Sequence, residues 1–273
     1  MDYAKEFENN KYVKIPQFLN EGMSQFLYEY IVMQESSMKY LVDNNLIYDK
    51  IAEDYRNFFG AIDNEKISFF DPALGKRIDK VDDNRTNCYC RYADPAFETL
   101  LGGMVDPLGK ILKKELHPNY SYCRIYRTGN ELKKHKDRSA CEISVTLCLG
   151  YENGDKPWDI FMGEDESNPI TLQQGDAIIY RGCDVTHWRH AYEGVQQAQV
   201  FMHYNDKNGP LYKPDMGYDE RPCLAVPRRN VMIANAENRL FYGGNKLAND
   251  DMERPSIKEQ KMITPDIPWE KLT

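Results

Sequence analysis

The stretch from Tyr120 to Asp206, YSYCRIYRTGNELKKHKDRSACEISVTLCLGYENGDKPWDIFMGEDESNPITLQQGDAIIYRGCDVTHWRHAYEGVQQAQVFMHYND, decides the fold class. It is a series of short β-rich runs: SYCRIYR (121–127), CEISVTLCLGY (141–151), WDIFM (158–162), ITL (170–172), DAIIYRG (176–182) and QAQVFMHY (197–204). Turn signals separate them at Thr128-Gly129-Asn130, Glu152-Asn153-Gly154-Asp155 and Gln174-Gly175-Asp176, where Gly129 and Gly175 read as residues that need positive φ. Many short strands with regular turns predict a β-sandwich or a jelly-roll barrel.

Upstream the texture differs. The segment KYVKIPQFLNEGMSQFLYEYIVMQ (11–34) reads as a short strand, Tyr12 to Ile15, a turn at Pro16 and then a helix. Its apolar stripe is Met23, Phe26, Leu27, Tyr30 and Ile31, and Asn20 is its N-cap. Weaker helical patterns lie around Met38 to Tyr48 and Ile51 to Phe59, followed by a loop at Asp71-Pro72. A clearer helix is expected from about Pro95 to Glu115, with Phe97, Leu100, Leu101, Met104, Leu108, Ile111 and Leu112 on one face and Gly102 and Gly103 as weak points. It would support a sheet from one side. Beyond Asp206 the chain is rich in Pro, Asn and charge and reads as an irregular extension.

A chain of 273 residues, 41% hydrophobic and 29% charged, can bury a substantial core. Its net charge of -8 gives no general attraction to nucleic acid or anionic lipid. No apolar run approaches the ~20 residues that span a bilayer, and the acidic start MDYAKEFENN is unlike a signal peptide. A soluble, cytoplasmic protein without membrane or nucleic-acid partners is expected. Seven cysteines with no CxxC pair suggest neither a zinc knuckle nor a disulfide framework. Cys88 and Cys90 flank Tyr89 at strand spacing, which would put both thiols on one face, for packing or, as the lesser alternative, a metal role.

The chemistry is carried by few residues. Among five histidines, His135 is followed two residues on by Asp137, and His187 lies across the β-rich region. Strand spacing would put His135 and Asp137 on one face. Two neutral imidazoles and one carboxylate on a triangular face of an octahedron bind Fe(II) and leave three positions open.

The segments SYCRIYRTGNELKKHKDRSACEISVTLCLGY (121–151), QQGDAIIYRGCDVTHWRH (173–190) and QAQVFMHYND (197–206) together resemble the 2-oxoglutarate- and Fe(II)-dependent dioxygenase superfamily, in its prolyl-hydroxylase-like branch. The resemblance spans Lys11 to Asp206 and is strongest from Tyr120. It implies an α+β, mainly β fold: a double-stranded β-helix (jelly-roll) core, about 117–206, with supporting N-terminal helices, about 1–116, and an irregular extension at 207–273 packed on the domain. It further implies that His135, Asp137 and His187 hold the metal. His190, three residues on, is the rival distal ligand, and His117, His190 and His203 read as surface or satisfied structural residues.

Relatives of this type carry Arg or Lys about ten residues after the distal His, where this chain has Gln197. A bidentate cation suits the distal carboxylate of 2-oxoglutarate. Arg189, two residues from His187 and on its face if the segment is extended, is the expected anchor, helped by Gln197 or Tyr126. Arg124, on the strand face of Tyr126, is a further candidate for binding or for a rim salt bridge. Arg138 and Glu142 position substrate or pair with each other, and Trp158 is a core aromatic or lines the substrate mouth.

The activity implied is oxidative decarboxylation of 2-oxoglutarate coupled through O2 to C–H hydroxylation, with ascorbate as reductant and a small-molecule or peptidyl substrate. Related halogenases replace the carboxylate ligand by a small residue, so Asp137 favours hydroxylation. The missing late cation keeps a second reading open, a cupin-like metal-binding jelly roll without 2-oxoglutarate turnover. A third is a β-rich interaction module whose histidines are unrelated.

Overall fold

In the run SVTLCL (144–149), Ser144, Thr146 and Cys148 alternate with Val145, Leu147 and Leu149. Along 197–204, Gln197, Gln199, Phe201 and His203 alternate with Ala198, Val200, Met202 and Tyr204. Successive strand side chains point to opposite faces, so a sheet built from these runs has one wholly apolar face and one mixed face. The computed structural model builds that sheet. It describes residues 2–43, 61–62, 69–71, 76–78, 88–152, 155–221 and 223–225. The helical pattern at Ile51 to Phe59, the end of the one at Met38 to Tyr48, Pro72 of the expected loop, the middle of the Glu152 to Asp155 turn and the extension after residue 225 lie outside them.

In chain order the elements are α1 (Tyr3–Asn10), β1 (Tyr12–Ile15), α2 (Glu21–Asp43), β2 (Ala61–Ile62), β3 (Phe69–Asp71), β4 (Lys76–Ile78), β5 (Tyr89–Tyr92), α3 (Pro95–Gly103) and α4 (Val105–Leu112). The eight barrel strands follow: β6 (Leu116–Arg127), β7 (Leu132–His135), β8 (Ile143–Tyr151), β9 (Ile160–Met162), β10 (Pro169–Ile170), β11 (Ala177–Tyr180), β12 (His187–Arg189) and β13 (Gln196–Asp206). A seven-stranded antiparallel sheet runs β1-β11-β8-β13-β6-β5-β2, and a four-stranded one runs β10-β9-β12-β7. From β6 to β13 the chain passes back and forth between the two sheets, which is the winding of a double-stranded β-helix.

The apolar face of the large sheet packs on the helices. Val145, Leu147, Val200 and Met202 share one core with Phe7, Leu27, Ile31, Phe97, Leu101 and Leu108, all nearly or fully buried. The opposite face looks into the barrel. Asn20 caps α2 by accepting from the Met23 N–H at 2.8 Å. Phe26, expected on the apolar stripe of α2, instead faces solvent. The stripe that packs is Met23, Leu27, Tyr30 and Ile31, and Phe26 falls to its side at about 100° per residue.

The helix expected from Pro95 to Glu115 is two helices that break at Met104. A continuous helix would place Pro107 in its interior, where its ring lacks the N–H for a bond to Gly103; restarting at Val105 puts Pro107 in a first turn, where no donor is needed. The apolar stripe survives the break. Helix α1 is not signalled by its polar sequence; Asp2 caps it and it buries Ala4 and Phe7. Gly129 and Gly175 adopt φ of +84° and +85°, as expected of turn residues. Among the described residues the seven cysteines form no disulfide, and five of them are buried. Among the described residues no helix is long and apolar enough to cross a membrane.

The described part of the extension lies against the barrel. Arg221 pairs with Glu98 of α3 at 2.9 Å, with both side chains within 1% of full burial. Glu98 also accepts from the Ser121 N–H and the Ala225 N–H, and Arg221 donates to the Asn119 carbonyl. Removing one partner of a buried pair strands the other charge, so Arg221→Ala is expected to cost about 3–5 kcal/mol, read as a lowered urea midpoint with little change in slope.

Candidate active site

Strand β7 ends at His135, directly opposite His187 at the start of β12. Asp137 lies just beyond the strand, so the shared face expected from strand spacing is replaced by an irregular segment, fixed by the Asp137 N–H donating to the Gly182 carbonyl at 2.8 Å. The outcome is the same convergence. His135 Nε2 and His187 Nε2 each lie 3.6 Å from Asp137 Oδ1, and the three ligand atoms sit within 4.8 Å of one another.

The surroundings suit a metal. His135 Nδ1 is 2.7 Å from the Lys133 carbonyl oxygen, and His187 Nδ1 is 3.0 Å from that of Val185. A ring nitrogen that donates to a carbonyl leaves the other with a lone pair, so both Nε2 atoms are presented as ligands. Desolvation pushes His187 down to about 4, which keeps it neutral at physiological pH. Ser144 Oγ donates to Asp137 Oδ2 at 2.9 Å and contacts His203 Nδ1 at 2.9 Å, so Oδ1 stays turned toward the histidines. Gly182 closes the site from below: a Cβ there would lie 2.4 Å from Asp137 Oδ2 and from the Cys141 carbonyl oxygen.

Asp137, Cys141 and His203 form a second compact group. Burial and the nearby Asp137 carboxylate push the Cys141 thiol well up, so it stays protonated and makes a poor ligand. The residues present thus fit one metal held by His135, Asp137 and His187. Ser144→Ala is expected to leave the fold intact and weaken Fe(II) or Co(II) binding about 10–100-fold, measured by metal titration, since partners of a ligating carboxylate have effects of that size.

The triad opens on a cavity of about 340 Å³ lined also by Tyr120, Tyr122, Arg124, Tyr126, Lys136, Arg138, Tyr180, Phe201 and His203. Arg124 lies deep on β6, 5% exposed, beneath the ring of Tyr126 at 4.7 Å. Its Nε and Nη2 are buried without a hydrogen-bond partner. Across the strand pair from it stands Gln199, and across from Tyr126 stands Gln197. Gln199 Nε2 and Gln197 Oε1 are likewise buried and unpartnered.

Arg189 is placed differently. The register shift between His187 and Arg189 puts the extra residue on β7, whose Leu132 to His135 spans three steps against two on β12, so Arg189 stays on the barrel-facing side with His187. Its guanidinium is held by the Trp158 carbonyl and by Gln199 Oε1, 3.0 Å away, and it does not line the cavity. Trp158 packs on Tyr126 and Tyr192 and lines a separate surface cleft. Arg138 pairs with Asp219, not with Glu142, which accepts from Asn205 and the Asp206 N–H. His190 is exposed beside Glu166, and His117 contacts the Gly217 carbonyl. His203 is buried and satisfied by Ser144, yet also lines the cavity.

No family model and no curated protein matches the sequence. Solved structures do match. A non-haem α-ketoglutarate-dependent carbocyclase, SnoK of nogalamycin biosynthesis, superposes with a TM-score of 0.51 at 11% identity, over 83% of this chain and 92% of that one. A Trichoplax adhaerens prolyl hydroxylase, solved with a hypoxia-inducible-factor peptide fragment, gives 0.50 at 13% identity, over 76% and 88%. The fold is therefore the jelly roll of the 2-oxoglutarate- and Fe(II)-dependent oxygenases. The structures that share it include prolyl hydroxylases.

Proposed function

We propose that this protein is a 2-oxoglutarate- and Fe(II)-dependent dioxygenase that hydroxylates a C–H bond, with His135, Asp137 and His187 as metal ligands and Arg124 as the anchor of the cosubstrate. One observation carries the reading: a preformed two-histidine, one-carboxylate set lies in the same cavity as a buried guanidinium with unpartnered N–H groups. A buried cation without an acceptor is costly, and a carboxylate entering the cavity would relieve that cost.

With Fe(II) bound, the chemistry supplied is oxidative decarboxylation of 2-oxoglutarate to succinate and carbon dioxide, coupled to transfer of one oxygen atom to substrate. The chain does the rest. Ser144 and the Lys133 and Val185 carbonyls fix the ligands in orientation; Arg124, with Gln197 and Gln199 beside it, receives the distal carboxylate where water is excluded. Tyr126 caps the guanidinium. Gln197 keeps a subsidiary role, and the charge that relatives place late in the barrel comes here from β6.

The test is anaerobic addition of 2-oxoglutarate to the Fe(II)-loaded protein, followed by air and ascorbate. A visible charge-transfer band and then succinate are expected. Metal binding with neither band nor succinate would sink the reading and leave a cupin-like metal-binding jelly roll.

A further inference from the structure

We propose that the substrate is a small organic monoacid whose carboxylate is held at the cavity mouth by Lys136 and Arg138; this rests on the cosubstrate reading above and narrows it. The chain carries a net charge of -8, yet residues 133–138, KKHKDR, hold four cations beside a single carboxylate, the ligand Asp137. They do not act alike. Lys134 turns outward, with its ammonium 4.7 Å over the Trp188 ring and donating to the Glu164 carbonyl. Lys136 and Arg138 line the cavity.

Arg138 is incompletely satisfied. Its Nη1 bonds Asp219 at 2.6 Å and its plane lies 4.7 Å over the Tyr120 ring, while Nη2 is buried with no acceptor. The cavity thus holds two guanidiniums with unpartnered N–H groups, Arg124 deep and Arg138 nearer solvent with a third of its side chain exposed. A single 2-oxoglutarate has one distal carboxylate and can satisfy one of them. The outer one is left for the molecule that enters last.

Charge counting selects the ligand. A divalent metal, Asp137, the 2-oxoglutarate dianion and Arg124 sum to zero, and Arg138 is offset by Asp219. Lys136 remains, so the complement is a monoanion and not a dianionic phosphate ester. Tyr120, Tyr122 and Phe201 line the cavity with aromatic rings that can pack against its body. A volume of about 340 Å³ lies at the small end of small-molecule sites and suits a compact acid better than a docked protein segment.

The test uses protein loaded with Zn(II), so that nothing turns over. It is first titrated calorimetrically with 2-oxoglutarate, then at saturation with benzoate or with benzamide, its neutral isostere. Benzoate should bind at least about tenfold more tightly than benzamide, and Lys136→Gln should erase about tenfold of benzoate affinity while leaving 2-oxoglutarate affinity within about twofold. Arg138→Gln should act in the same direction. Because Lys136 is exposed, its variant tests the idea without a folding risk. Equal affinity for the two probes, no benzoate binding, or benzoate binding unchanged by Lys136→Gln overturns the proposal. Failure of the wild-type protein to take up 2-oxoglutarate in the first titration overturns the cosubstrate reading itself, before benzoate is added.

Discussion

Asp137→Ala is expected to lower succinate formation by about three orders of magnitude, because the metal's contribution to such a reaction is several kcal/mol and each 1.36 kcal/mol is tenfold. The loss should come from the metal site and not from unfolding. Asp137 is held to the frame by its backbone N–H on Gly182, which Ala retains, and its side chain contacts Ser144 and the two histidines. Removing the carboxylate leaves two imidazoles, and Ser144 keeps His203 and the Cys141 carbonyl as partners. The variant should therefore keep the wild-type melting midpoint without metal and lose the metal-dependent rise in that midpoint, which mass action gives to any ligand of the native state alone. A variant that still binds metal tightly and still forms succinate would show that the catalytic ion sits elsewhere.

The sequence made the barrel and the triad legible for a shared reason. Barrel strands must alternate, and QAQVFMHY and CEISVTLCLGY alternate over enough residues to be seen. His135, Asp137 and His187 stand out because histidine is scarce in this chain. What was not legible depended on local irregularity. The face of Arg189 was legible but its partners were not: the Trp158 carbonyl and Gln199 take up its guanidinium, which does not line the cavity. The long helix does end at its weak point, Gly103, but its restart at Val105 with Pro107 in the first turn was not foreseen, and Phe26 sits one position off the packed stripe. Ser144 was overlooked although its signal was present: on β8 it shares the barrel-facing alternation of Thr146 and Cys148, seven residues after Asp137. The net charge of -8 describes the whole surface, while residues 133–138 beside the cavity are locally basic.

Arg124→Leu and Arg189→Met should separate two arginines that the sequence could not rank. In Arg124→Leu the affinity for 2-oxoglutarate is expected to fall about 100-fold or more, since truncating one side of a desolvated charge pair costs about 2–5 kcal/mol. The ligand-free protein should be no less stable, and even slightly more so, because the substitution removes a buried cation whose Nε and Nη2 have no acceptor. Arg189→Met should do the reverse. It strands the Trp158 carbonyl and Gln199 Oε1, and each lost buried partner costs about 1–3 kcal/mol, while 2-oxoglutarate still finds Arg124. A residue kept for binding carries its cost in the empty protein, whereas one kept for structure repays burial through its own hydrogen bonds. Melting curves with and without 2-oxoglutarate distinguish them: the ligand-induced rise should vanish in Arg124→Leu and persist, from a lower starting point, in Arg189→Met. The opposite pattern would move the anchor to Arg189 and require its guanidinium to leave the Trp158 carbonyl and Gln199 for the cavity.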